Sequence, residues 1–185
     1  MLISCCGDKS MGMLKLKAIK LEEKKQFIQE IQEAFQKAYI KEYEDWEETI
    51  LPVEDIEESF NTLGAEAYFA EIDGNRVGGT IIAIDKKTHF NQLHLLYVKT
   101  GSQNCGVGKR IWMAIEKLHP ETETWETHTP YFDRRNIHFY VNRCGFKIVE
   151  FYNQKHKDPH QKRDRLEDMP LEKYCDFFRL EKVMK

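Results

Sequence analysis

The chain has 185 residues, with 28 basic against 31 acidic side chains and a formal charge of -3. That balance offers nucleic acid no global basic field, and no apolar run approaches the ~20 residues of a membrane span. Met1 to Gly12 holds only a short apolar run and two cysteines, which is no signal peptide, so the sequence reads as a cytoplasmic protein. Residues 1–12 are expected as a tail and 13–185 as one domain with a proper core.

Five cysteines, Cys5, Cys6, Cys105, Cys144 and Cys175, form an odd set without paired metal spacing, and free thiols in a reducing compartment are the expectation. Leu14 to Ile19 alternates apolar residues with lysine, as an edge strand does. From Leu21 to Tyr43, Phe27, Ile28, Ile31, Ala34, Phe35 and Ala38 recur at three and four, which predicts an amphipathic helix. Between Glu42 and Glu58 lie nine acidic residues, Glu42, Glu44, Asp45, Glu47, Glu48, Glu54, Asp55, Glu57 and Glu58, against no base. They read as a solvated face and linker, or as a negative lip for a cationic substrate.

Ile56 to Phe60 suggests a second helix ending near Gly64. A hairpin follows, Ala65 to Ile72 and Val77 to Ile84 around Asp73-Gly74-Asn75. Gly78-Gly79 inside a strand implies a bulge or the close approach of another backbone. Asp85 to Gln92 reads as a polar turn and Leu93 to Val98 as a third antiparallel strand. Val107, Ile111, Ile115 and Leu118 then lie at helical spacing. Thr122 to His128 alternates as a strand stopped by Pro130, and Asp133 caps a helix through Asn142 on which Ile137, Tyr140, Val141 and Cys144 share a face. Phe146 to Tyr152 and Tyr174 to Lys182 are the last strands, and the final one could pair across a homodimer. His156 and His160 are four apart, but nothing completes a metal set, and a solvated loop is expected between Asn153 and Pro170. The order β α α β β β α β α β β is an α/β arrangement of one mixed, mostly antiparallel seven-stranded sheet with helices on both faces.

The loop from Gly101 to Gly108 joins a strand to a helix, a geometry that turns free backbone N–H groups toward an anion. Lys109 and Arg110 in the first helical turn oppose the dipole by several tenths of a kcal/mol each, roughly, which makes sense beside a polyanion. A P-loop needs glycine where Gln103 stands and Ser or Thr where Arg110 stands. A dinucleotide fingerprint needs glycine where Ile111 stands.

Gln103-x-x-Gly106-x-Gly108, after a strand ending Leu96-Tyr97-Val98, resembles the acetyl-CoA pyrophosphate loop of the GNAT superfamily of N-acetyltransferases, although Thr100 replaces the proline common there. Asn136-Ile-His-Phe-Tyr140 with Gly145-Phe146 is similar to that family's second signature. The spacing departs from it: four residues separate Tyr140 from Gly145 where three are usual, and an extra residue absorbed at the helix end leaves Tyr140 in place.

The resemblance implies an acyl-CoA-dependent transferase moving acetyl from acetyl-CoA to a primary amine, small molecule or protein, by direct transfer in a ternary complex, with no metal. The alternative is a non-catalytic CoA-binding module of the same fold. It implies that Leu96, Tyr97, Val98, Gln103, Asn104, Cys105, Gly106, Val107, Gly108, Lys109, Arg110 and Asn136 bind the cofactor and that Tyr140 protonates the departing sulfur. Backbone N–H groups around Tyr97 and Val98 would hold the oxyanion. The ammonium acceptor needs a base, and Glu126 is the candidate, with His128 on the same strand face and His94 behind. Cys105 and Cys144 lack a flanking histidine for a covalent route.

Overall fold

The computed structural model describes residues 12–43, 50–103, 105–159 and 176–185, without the side chains of 38, 39 and 41–43. Cys5, Cys6, Asn104, His160, Tyr174, Cys175 and, in the acidic run, Glu44, Asp45, Glu47, Glu48 and the Glu42 side chain lie outside the described residues. In chain order the elements are β1 (Leu14–Ala18), α1 (Lys24–Tyr43), α2 (Val53–Asn61), β2 (Ala65–Ile72), β3 (Asn75–Ala83), β4 (Phe90–Val98), α3 (Val107–Leu118), β5 (Thr124–Pro130), α4 (Arg134–His138), β6 (Lys147–Tyr152) and β7 (Phe177–Val183). This is the order the sequence predicts. Among the described residues seven strands form one sheet, hydrogen-bonded in the order β1-β2-β3-β4-β5-β7-β6. β4–β5 is parallel, whereas β1–β2, β2–β3, β5–β7 and β6–β7 are antiparallel. No described helix is long and apolar enough to cross a membrane.

The chain groups into two compact units, Met1–Ile84 with Leu93–Pro120, and Asp85–Gln92 with Glu121–Lys185. The division runs through β4 itself, so no linker or shift in composition marks it.

In the first unit the apolar stripe of α1 buries Phe27, Ile31 and Ala34 together with Ile56 of α2 and Phe69, Ile81 and Tyr97 of the strands. Each such large apolar side chain contributes about 1.5–3 kcal/mol on burial. The Phe27 ring sits 5.6 Å from Phe69 and stands edge-on to Tyr97 at 5.3 Å. α3 covers the opposite strand face, with Ile111 Cδ1 3.0 Å from where a Cβ on Gly78 would stand. Its buried residues are Val107, Ile111, Trp112 and Ile115. Leu118, expected in that stripe, is 46% exposed, because the inward face centres nearer Trp112.

Both expectations for the glycine pair are met. Ala70 pairs with Gly78 but Glu71 with Arg76, a bulge at Val77. A Cβ on Gly78 would lie 2.2 Å from the Tyr97 carbonyl oxygen, and one on Gly79 2.7 Å from both Phe27 Cε2 and Tyr97 Cε1. In the acidic run, Glu54 and Asp55 occupy the first turn of α2, where they suit the helix dipole, and Glu57 pairs with Lys24.

In the second unit Trp125, Phe146 and Leu180 are buried. Two expectations are corrected there. Phe90 to Gln92, read as turn, begins β4 and forms its ladder with Thr124, Trp125 and Glu126. The polar Asn91 that disguised this strand is buried, its Oδ1 accepting from the Asp85 amide at 2.8 Å and its Nδ2 donating to Thr122 Oγ1 at 2.7 Å. β7, read as a strand that could pair across a homodimer, is paired on one side with β5 and on the other with β6, so among the described residues β6 and β1 are the edges.

Candidate active site

In the first unit, β4 runs into a glycine-bearing loop and α3. Tyr97's carbonyl and Leu95's carbonyl, which accepts from Thr80 Oγ1 at 2.8 Å, face β3, as does the Lys99 amide, which donates to the Val77 carbonyl at 2.9 Å. By alternation the Tyr97 amide also faces β3, and the amides of Leu96 and Val98 face the other edge. Of the expected oxyanion donors around Tyr97 and Val98, that leaves Val98, with Leu96 in place of Tyr97. The Ser102 amide donates to the Lys99 carbonyl and Gln103 Nε2 to the Val98 carbonyl at 3.4 Å, turning the loop back on the strand end.

Gly101 and Gly106 have φ of 93° and 72°, which only glycine adopts without strain. Nothing lies within 4 Å of where a Cβ on Gly106 would project. Gly106 is the N-cap of α3, so the amides of Val107, Gly108 and Lys109 have no acceptor within the helix, and no acidic residue sits in the first turn. Lys109 is exposed, and Cys105 is half-buried and outside any disulfide. Arg110 donates through Nη2 to the Gly12 carbonyl, while its buried Nη1 has no partner among the described residues. An open, uncapped helix start flanked by two cations fits a diphosphate.

In the second unit, the Asp133 carboxylate caps α4 by accepting from the Asn136 amide at 2.8 Å. Asn136 itself is half-buried. The helix then widens into a π turn over Phe139–Cys144. The extra residue between Tyr140 and Gly145 resides here: the Gly145 and Phe146 amides both reach the Tyr140 carbonyl, and Lys182 Nζ donates to the Cys144 carbonyl at 2.7 Å. Tyr140 is buried edge-on between Phe139 and Phe146. Its hydroxyl is raised above the ordinary tyrosine pKa by burial first and by Cys144 next, with a hydrogen bond from Thr127 opposing. It therefore keeps its proton at neutral pH.

Thr127 lies on one face of β5, and Glu126 and His128 alternate onto the other. The buried Glu126 carboxylate accepts from Gln92 Nε2 and Arg179 Nη1, both at 3.0 Å, and Arg179 Nη1 also donates to Glu181 Oε1 at 2.6 Å. His128 stacks on Tyr152 with ring centroids 6.3 Å apart. His128 is exposed to solvent, yet packing around the ring lowers its pKa first, with Arg179 lowering it further against Glu126 and Asp158. His94 stays half-buried on the first-unit part of β4.

Sequence reasoning missed Thr127, Arg179 and Gln92. Arg179 could have been found, since Arg179 and Glu181 flank the buried Leu180 and so mark the charged face of β7. His156, the described one of the two histidines four apart, places Nε2 3.1 Å from Glu150 Oε1 and stacks on Tyr152. Among the described residues no group of three or more metal-ligating side chains occurs.

Comparison with known proteins bears on the fold and the family. The uncharacterized protein YrkN of Bacillus subtilis (strain 168) is 47% identical over 162 residues, spanning 86% of this chain and 88% of that one. A Bacillus subtilis acetyltransferase solved with CoA superposes with a TM-score of 0.57 at 19% identity, covering 93% of this chain and 98% of its own. The Vibrio cholerae spermidine N-acetyltransferase solved with CoA and spermine gives 0.63 at 14% identity over 92% and 95%. Residues 28–146 match the model of the Acetyltransferase (GNAT) family. The chain belongs to the GNAT acetyltransferase family.

Proposed function

We propose that the chain is an acyl-CoA-dependent N-acetyltransferase, moving acetyl from acetyl-CoA to a primary amine by direct transfer. The observation that carries this reading is the uncapped start of α3, where Gly106 opens onto free space and Lys109 and Arg110 follow. Val107, Gly108 and Lys109 amides hold the diphosphate, with Gln103 and Cys105 shaping the loop. Asn136 steadies the pantetheine arm.

Leu96 and Val98 amides polarise the thioester carbonyl as negative charge develops on its oxygen. The amine nitrogen bonds to that carbon, the C–S bond breaks, and Tyr140 gives its proton to the sulfur. A tyrosine near pKa ~10 is protonated at neutral pH, and a thiol near ~8.5 accepts readily once its thiolate forms. An alkylammonium must lose a proton before attack. Glu126 and His128 share that task. Glu126, steadied by Gln92 and Arg179, holds the charged amine, and His128, kept neutral by its surroundings, takes the proton.

The acceptor class is supported by the Vibrio cholerae relative, which was solved with spermine. A panel of polyamines, amino sugars, amino acids and peptide N-termini, assayed for free CoA with calorimetry of acetyl-CoA binding alongside, tests the reading. Transfer to one amine class is expected. Binding heat without CoA release from any amine would replace the enzyme with a non-catalytic CoA-binding module.

A further inference from the structure

On the α1 side of the first unit, the Tyr97 side chain enters a polar cluster that the reaction above does not use. Its hydroxyl donates to Glu30 Oε2 at 3.1 Å. Glu30 Oε1 lies 3.2 Å from Lys99 Nζ, accepts from Gln26 Nε2 at 3.2 Å and is 3.9 Å from Arg76 Nη1. Arg76 continues the cluster to Glu23 and stacks over the Phe69 ring at 3.8 Å. The Glu30 side chain is only 10% exposed. Tyr97 is thus held at three points: its ring edge-on against Phe27, its Cε1 over Gly79 where any Cβ would stand 2.7 Å away, and its hydroxyl on a carboxylate anchored by two cations.

This residue sits between Leu96 and Val98, whose amides point the opposite way from its own. The two peptide planes that meet at its Cα carry the Tyr97 and Val98 amides, so the Val98 amide turns with this residue. We propose that Glu30 is a positioning residue: by fixing the Tyr97 hydroxyl it sets the direction of the Val98 amide, one of the two donors that polarise the thioester carbonyl. The proposal rests on the acetyl-transfer reading. Gly79 is part of the device, since a side chain there would push the Tyr97 ring off its seat. The cost of misdirected donors is large, because displacing a reacting group by ~1 Å loses rate on the order of 100-fold.

The test compares Tyr97→Phe, Glu30→Gln and Glu30→Ala with wild type in steady-state kinetics for acetyl-CoA and the best amine of the panel, with melting curves recorded in parallel. Tyr97→Phe keeps the ring and its packing, so a kcat about 10-fold lower with KM values within about twofold and a near-native melting temperature supports the assignment. Glu30→Gln retains an oxygen for the hydroxyl and should keep most of kcat, whereas Glu30→Ala should lose as much as Tyr97→Phe. Wild-type kcat in Tyr97→Phe overturns the proposal and leaves the enzyme assignment standing. Equal losses in Glu30→Gln and Glu30→Ala beside an intact Tyr97→Phe overturn it in favour of a purely ionic role. If wild type neither binds acetyl-CoA nor releases CoA, the acetyl-transfer reading falls and takes the proposal with it.

Discussion

Gly78→Ala probes the contact between β3 and the end of β4. The new Cβ would lie 2.2 Å from the Tyr97 carbonyl oxygen and 3.0 Å from Ile111 Cδ1. Ile111 can yield by a rotamer, but the oxygen belongs to β4 backbone, so the strands must part by roughly 1 Å. Overpacking of this kind costs 1–3 kcal/mol or more, and because backbone must move we take about 3. In a chain this size each kcal/mol lowers Tm by about 2–4 °C, which gives a fall of about 6–12 °C. Gly74→Ala is the control: its φ is 79° and nothing lies within 4 Å of the added carbon. There only left-handed strain of about 1–2 kcal/mol applies, a fall of roughly 2–8 °C. Circular-dichroism melting measures both, and turnover should drop far more in Gly78→Ala because the Val98 amide shifts with its strand. A Gly78→Ala melt within about 2 °C of wild type would refute the reasoning.

Tyr140→Phe should lower kcat by about 100-fold or more while lowering Tm by only about 2–4 °C, the loss of one buried hydrogen bond; a CoA-release assay with full activity would remove Tyr140 from the mechanism. Because burial depresses the His128 pKa, the folded chain keeps this ring neutral below 6.5, where the unfolded chain already takes up a proton. Stability from this group therefore falls as the pH drops below 6.5. For the same reason kcat/KM should be flat through neutrality and drop only below pH 6.5, with that limb absent in His128→Asn. An acid limb centred above pH 7 would contradict the assignment. Asp133→Ala removes the α4 cap and should cost about 1 kcal/mol, with Asp133→Asn keeping most of it, read from thermal melts.

The glycines, the caps and the hydrophobic periods of this chain are visible in its letters because each answers a local demand. Asp133 precedes its helix at capping distance, Gly78-Gly79 interrupts a strand, and the lysines of Leu14 to Ala18 mark an edge; all three behave as local chemistry requires. What stayed hidden depends on partners far away in sequence. Asn91 reads as turn because nothing nearby reveals that Thr122 and the Asp85 amide will bury it. The Arg179 clamp on Glu126 spans 53 positions. The π turn shows only as one residue too many before Gly145, a count that tells of an insertion but not where the helix will take it up. The candidate site was legible in its glycine loop and its tyrosine, both bound to short motifs, and illegible in the threonine, glutamine and arginine that contact Tyr140 and Glu126.

The place of β7 between β5 and β6 has a bearing on synthesis. Translation delivers β5 and β6 well before the strand that must slot between them, and neither has the other as its ladder partner. Both wait with backbone donors and acceptors unmatched until residue 183 clears the ribosomal tunnel, and a nascent chain stalled short of that point carries an open half-sheet.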